Sequence, residues 1–149
     1  MNNNDIGNNE LLYRRVKKHG QNIHPNDLRY RQNELGDLEV LPMAFYDNKN
    51  EPSVDRACIH NNDPSKTQGD FVNGVIKLLA GDVRNMEIDY HRIDIRPDPT
   101  DENPAHSRII MIPNVNIVPS DRQKGLRQKF RENLALIANQ LGWIIEPEF

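Results

Sequence analysis

One amphipathic stripe constrains this chain more than any other feature. Leu126, Phe130, Leu134, Ile137 and Leu141 recur at steps of four, four, three and four, so they line one face of an α-helix. Ser120 and Gln123 have the spacing of a capping box, in which hydroxyl and amide side chains satisfy orphan N–H groups. Gly142 follows as a C′ residue. No other segment carries a helical period of comparable length. Parallel strands need crossovers of a dozen or more residues, usually helical, so a chain with one secure long helix is expected to pair its strands antiparallel. The expected fold is α+β: a mostly antiparallel twisted sheet covered on one face by the C-terminal helix.

The strands are read from alternation and β-prone runs. Leu11–Val16 is the first, with Leu12, Arg14 and Val16 on one side and Leu11, Tyr13 and Arg15 on the other. An arginine on each face suggests a sheet edge or a site. A short helix is expected around residues 26–32. Residues 38–46 read as a strand broken by Pro42, which argues for an edge or a bend. Residues 53–59 read either as a one-turn helix capped by Ser53 or as a short strand. Residues 61–70 read as a loop. Residues 71–83 fit a helical face and a buried strand alike; Gly74 weighs against the helix, which favours a strand at Gly74–Leu79 and a helical turn over residues 81–85. Residues 86–95 read as a strand with a bulge near His91–Arg92. Residues 105–112, apolar on both faces at Ile109 to Ile112, read as a central strand, and Trp143–Ile145 as a short strand or packed tail.

Composition bounds the class. The chain of 149 residues is 36% hydrophobic, below the usual globular share, and much of the shortfall lies in residues 1–9 and 61–70. Residues 1–9 are Asn-rich and aperiodic and are expected to be a disordered tail, with residues 10–149 forming a single domain. Cys58 is the single cysteine; it has no partner for an internal disulfide, which points to a reducing, cytoplasmic compartment. Neither a leader-like segment nor an apolar run of membrane-spanning length is present, so no membrane partner is expected.

The net charge of −3 hides an uneven layout. Residues 14–31 hold six Lys/Arg against one Asp, +5; residues 34–103 hold seven Lys/Arg against fifteen Asp/Glu, −8; residues 121–132 hold five Lys/Arg against two acids, +3. Two basic segments flanking an acidic middle are most simply a self-complementing surface, and otherwise a surface for phosphate or nucleic acid. On the C-terminal helix Lys124, Arg127 and Arg131 cluster beside the apolar stripe. Such a cluster is more often a solvated flank than a phosphate contact, and no aromatic residues interleave with it.

Candidate chemistry lies elsewhere. Ser53, Asp55 and Arg56 form a compact polar group suited to binding phosphate or orienting a substrate, and equally to capping a turn. His106 follows Asn103-Pro104-Ala105 and enters the strongest strand, where a rigid scaffold can present a general base. His60, His91 and His106, with Asp89 or Asp94, lack the spacing of metal ligands, and no metal site is expected. P-loop, GxGxxG, GxSxG, HExxH and CxxC motifs are absent, and no cofactor is implied.

Leu12-Tyr13-Arg14-Arg15-Val16, Ser53-Val54-Asp55-Arg56-Ala57 and Asn103-Pro104-Ala105-His106 together resemble a group of small bacterial proteins without an established activity, and Leu141-Gly142-Trp143-Ile144-Ile145 resembles the way they end. The resemblance implies one bacterial domain that brings these segments together, and it singles out Arg14, Ser53, Asp55 and His106 as a shared site. Two functions are expected from the whole reading. The first is an accessory module that binds a protein partner. The alternative is a small enzyme, or a nucleotide- or nucleic-acid-binding domain, acting on a phosphate-bearing substrate: His106 and Asp55 would be catalytic, Arg14, Arg56 and Ser53 would bind substrate, and Lys124, Arg127 and Arg131 would meet nucleic acid.

Overall fold

A computed structural model describes residues 5–148. The strands are β1 (Leu11–Val16), β2 (Tyr30–Gln32), β3 (Leu38–Val40), β4 (Ser53–Arg56), β5 (Gly74–Leu79), β6 (His91–Pro97), β7 (His106–Pro113) and β8 (Trp143–Ile145). The helices are α1 (Ser65–Gln68), α2 (Ala80–Arg84) and α3 (Gln123–Leu141). Six strands form one sheet in the order β6-β7-β4-β1-β5-β8, and β2 and β3 form a separate hairpin. Every ladder is antiparallel, and α3 packs on one sheet face, so the fold is the expected α+β one.

Alternation along each strand divides the sheet into two faces. Leu12 and Val16 of β1, Val54 of β4, Ile76 and Leu78 of β5 and Ile109 of β7 join Phe130, Leu134 and Ala138 of α3 in the main core. The opposite face carries a small cluster of Tyr13, Ala57 and Val75, with Leu11 and Ile145 against it. Ser53 and Asp55 of β4 and His106 and Arg108 of β7 lie on that face too, with Ile110 and Ile112 further along β7. Among the described residues no helix is long and apolar enough to cross a membrane.

Several local expectations are corrected. The helix near residues 26–32 is a 3-10 turn, Pro25–Asp27, running into β2, because Tyr30 to Gln32 pair with Val40 to Leu38. Pro42 ends β3 and opens a second 3-10 turn, Pro42–Phe45, that buries Phe45. The polar run at 61–70 contains α1, whose Thr67 is buried. Ser120 does not cap α3; a 3-10 turn, Ser120–Arg122, leads into the helix with no side-chain cap bond. There is no bulge at His91–Arg92. Tyr90 adopts φ 65°, reversing the chain so that β6 starts at His91. The tail expectation covers residues 1–9. Residues 1–4 lie outside the described residues, but Ile6 is in the core at 4% exposure and the Asn8 carbonyl accepts from Gly81 N–H. One well-placed apolar side chain anchors what composition marks as polar.

Candidate functional site

The site begins where a ladder stops. β1 and β4 pair only at Leu12↔Arg56 and Tyr13↔Asp55, while β1 continues alongside β5 through Val16↔Gly74. Beyond Tyr13 the two strands part, and the Arg14 side chain occupies the opening. Its Nη1 donates to the Ser53 carbonyl at 2.7 Å, and its Nε and Nη2 donate to the Ala44 carbonyl at 3.2 and 3.0 Å. Sequence reading offered a sheet edge or a site for this strand; β1 is interior, and the opening beside it is a cleft of about 970 Å³. That is at the upper end of the range for small-molecule sites, roughly 300–1,000 Å³.

Four cationic residues, Arg14, Arg15, Lys17 and Arg29, line the cleft against two acidic ones, Asp27 and Asp55. Four of the six Lys/Arg read at residues 14–31 therefore line one cavity, while Arg31 pairs with Glu39 on the surface. Close to Arg29, His19 stacks on Tyr30 at 3.9 Å and accepts the Arg29 N–H on Nε2 at 2.8 Å. Burial, helped by neighbouring Arg29, pushes the His19 pKa down, in keeping with a ring that must stay neutral to accept that bond. Arg15 is anchored by Nε donating to the Thr67 carbonyl at 2.8 Å. Its guanidinium lies so near Gly69, at φ 73°, that a Cβ there would meet it at 2.9 Å.

Arg14 is the unusual member of this group. Desolvation pulls its pKa down to about 10, with Arg15 adding to the fall and Asp47 opposing it. Its bonds go to carbonyl oxygens, and among the described residues no carboxylate forms an ion pair with it. The guanidinium is half-buried, lies 5.8 Å from the ring centre of Phe45, and feels Asp47 only beyond ion-pair distance.

The sheet face turned away from the core adds Ser53, Asp55 and His106 to the cleft lining. Asp55 is 8% exposed. Its Oδ2 pairs with His60 Nε2 at 3.1 Å and accepts from Thr67 Oγ1 at 2.8 Å, and its Oδ1 accepts from Asn103 Nδ2 at 2.8 Å. This carboxylate therefore ties β4 to the turn at His60, to α1 and to the loop before β7. Its oxygens are engaged in holding the wall, and no bond links it to His106. His106 faces Asp55 across the β4–β7 ladder and reaches Ser53 instead: Nε2 is 3.2 Å from Ser53 Oγ, and Nδ1 is 2.9 Å from the Asp98 carbonyl.

Arg14, Ser53, Asp55 and His106 thus line one cleft, and Arg56 does not. Arg56 follows Asp55 on a strand and so faces the other side, where Nε and Nη2 bind Glu10 at 2.9 and 2.8 Å. Nor do Lys124 and Arg127 line the cleft; both are exposed on α3. Arg131 lies 5.9 Å from the ring centre of Tyr46, a residue of the cleft. Among the described residues no three His, Cys, Asp or Glu side chains gather to hold a metal ion. The cleft residues that sequence reading missed are chiefly Lys17, Arg29, Tyr46, Thr67 and Asn103. Lys17 and Arg29 were visible as charge, Asn103 stood inside a quoted segment, and nothing local marks Tyr46 or Thr67.

The chain matches no protein-family model, no curated protein and no solved structure.

Proposed function

We propose that this cleft binds a small phosphate-bearing molecule. The observation that carries the reading is Arg14, a half-buried cation that lines the cleft and hydrogen-bonds to the Ser53 and Ala44 carbonyls and to no carboxylate. An anionic ligand would supply a directly bonded counter-charge, and a planar guanidinium suits phosphate oxygens. Arg15, Lys17 and Arg29 around the cleft add charge of the same sign, and His106 stands where a bound ligand would meet an acid–base group. Of the two functions expected from the sequence, this is the one for which a specific geometric observation speaks. The three segments that resemble the bacterial group supply Arg14, Ser53, Asp55, Asn103 and His106 to this cleft. A bacterial, cytoplasmic protein belongs to the same proposal and rests on that resemblance and on the single Cys58.

The test is thermal unfolding and calorimetric titration with inorganic phosphate and with a nucleoside monophosphate. A ligand bound by the folded state raises Tm in proportion to its occupancy. The double variant Lys17→Gln/Arg29→Gln, which removes two cations from the cleft without touching the core, should weaken binding about tenfold, near 1.4 kcal/mol. Arg14→Met should abolish it. A protein whose Tm and titration heats ignore both ligands would sink the reading. Co-purification with one protein partner would then return the preference to the accessory module.

A further inference from the structure

Within the cleft just proposed, Ser53 and His106 have an arrangement that binding alone does not require. We infer that Ser53 is a nucleophile and His106 its general base, and that the protein hydrolyses a phosphate ester through a phosphoseryl intermediate. The inference rests on the ligand-binding reading and adds a reaction to it.

The partners of the His106 ring set its tautomer. His106 Nδ1 lies 2.9 Å from the backbone carbonyl of Asp98. A carbonyl oxygen can only accept, so Nδ1 carries the proton. In the neutral ring Nε2 then holds a lone pair and can only accept. Its partner at 3.2 Å is Ser53 Oγ, so the serine hydroxyl is the donor. This is the polarity that general-base activation of a hydroxyl needs. The opposite tautomer would leave two acceptors facing each other across 2.9 Å.

The surroundings favour charge development on both partners. The Asp98 carboxylate lies 3.4 Å from Nδ1 and is held by Arg108 Nε at 2.9 Å, placing negative charge beside an imidazolium. Bonding to Arg108, with His106 close by, keeps that carboxyl below its ordinary pKa and hence ionised. On the other side Arg14 Nη1 bonds the Ser53 carbonyl, so a guanidinium sits next to the attacking residue, where negative charge grows on the phosphoryl oxygens. Asp55, two residues along β4, is consumed by His60, Thr67 and Asn103 and does not compete for either group.

The steps balance as follows. Ser53 Oγ attacks phosphorus while its proton passes to His106 Nε2. The phosphorus–oxygen ester bond breaks, and the departing alkoxide takes the proton from Nε2. Water then attacks the phosphoserine, giving its proton to Nε2, and Ser53 leaves and recovers that proton. One ester and one water become one alcohol and one phosphate, with no redox change.

The experiment uses the full chain with a fluorophosphonate, which labels an activated serine with loss of fluoride, and with para-nitrophenyl phosphate as substrate. Mass spectrometry should place the label on Ser53, and Ser53→Ala should lose both label and hydrolysis. His106→Asn should slow labelling roughly 100-fold. Asp98→Asn should lower kcat about tenfold with KM unchanged, which a purely structural role would not produce. An unlabelled Ser53, or hydrolysis undiminished in Ser53→Ala, overturns the inference. Phosphate binding by the unaltered protein is measured in parallel: binding without labelling defeats the nucleophile and spares the cleft reading, whereas loss of both defeats the two together.

Discussion

Ser107, next in sequence to the candidate base, has none of its neighbour's partners. It is fully buried, and its hydroxyl is the one buried side-chain oxygen or nitrogen without a hydrogen bond among the described residues. It pairs in register with Val54 on the core face of the sheet, where a hydroxyl loses its hydration and gains nothing. Ser107→Ala should therefore stabilise the protein, or at worst leave it unchanged, by up to about 1 kcal/mol; a loss of stability in urea denaturation would show that the hydroxyl has a partner. The contrast with His106 is one of parity. Adjacent strand residues face opposite sides, and the same rule separates Asp55 from Arg56. Once residues 53–56 are a strand, no single face can hold both, so the expected Arg56 site contact was excluded by the strand alternative that the sequence already offered.

At the scale of elements, Gly74 shows why propensity alone was ambiguous. The glycine reads as a reason to doubt a helix, yet its role is steric. A Cβ at position 74 would lie 2.7 Å from the Trp143 ring and 2.8 Å from Pro147. β5 must let β8 cross closely here, and Trp143 is itself fixed, donating Nε1 to the Leu38 carbonyl at 2.9 Å and meeting Tyr30 edge-on. Gly74→Ala should cost about 1–3 kcal/mol by overpacking and loosen both β8 and the β2–β3 hairpin, seen as faster amide exchange at Ile145 and Val40. Unchanged stability would mean that β8 can move away freely. The helix α3 was legible because five apolar residues repeat one spacing, and four of them are buried. The fifth, Leu141, is 40% exposed, since the helix is already turning into Gly142 and β8. The short 3-10 turns and α1 were not legible, because three or four residues carry no period.

Across the whole molecule, pH acts through groups whose folded environment keeps protons off. Burial raises the Glu10 carboxyl, but bonds from Arg56, Gly7 and Cys58 outweigh it and hold the pKa below its ordinary value. Asp94 behaves alike, with Arg84 and the Ile95 amide overcoming burial. His19 is depressed mainly by burial. In each case the unfolded chain binds more protons than the folded one at acid pH, so stability falls as pH falls. The loss should start below about 6.5, the ordinary value for His19, and steepen below about 4.5, where Glu10 and then Asp94 protonate. Urea midpoints from pH 8 to 3 should show both stages, and His19→Gln should remove the upper one alone; a midpoint flat through pH 5 would contradict the His19 assignment.

By itself the sequence determined the fold class, the long helix, the positions of most strands along the chain and the concentration of positive charge in residues 14–31, because periodicity and charge are local quantities. It also named Arg14, Ser53, Asp55 and His106. Only the tertiary structure decided that β1 and β4 part after Tyr13, that Arg14 fills the gap and that Arg15, Lys17 and Arg29 line the same cleft. It alone assigned Asp55 to His60 and Ser53 to His106. Where two strands separate, and which acceptor a buried side chain finds, depend on packing between segments tens of residues apart, and no local pattern records that.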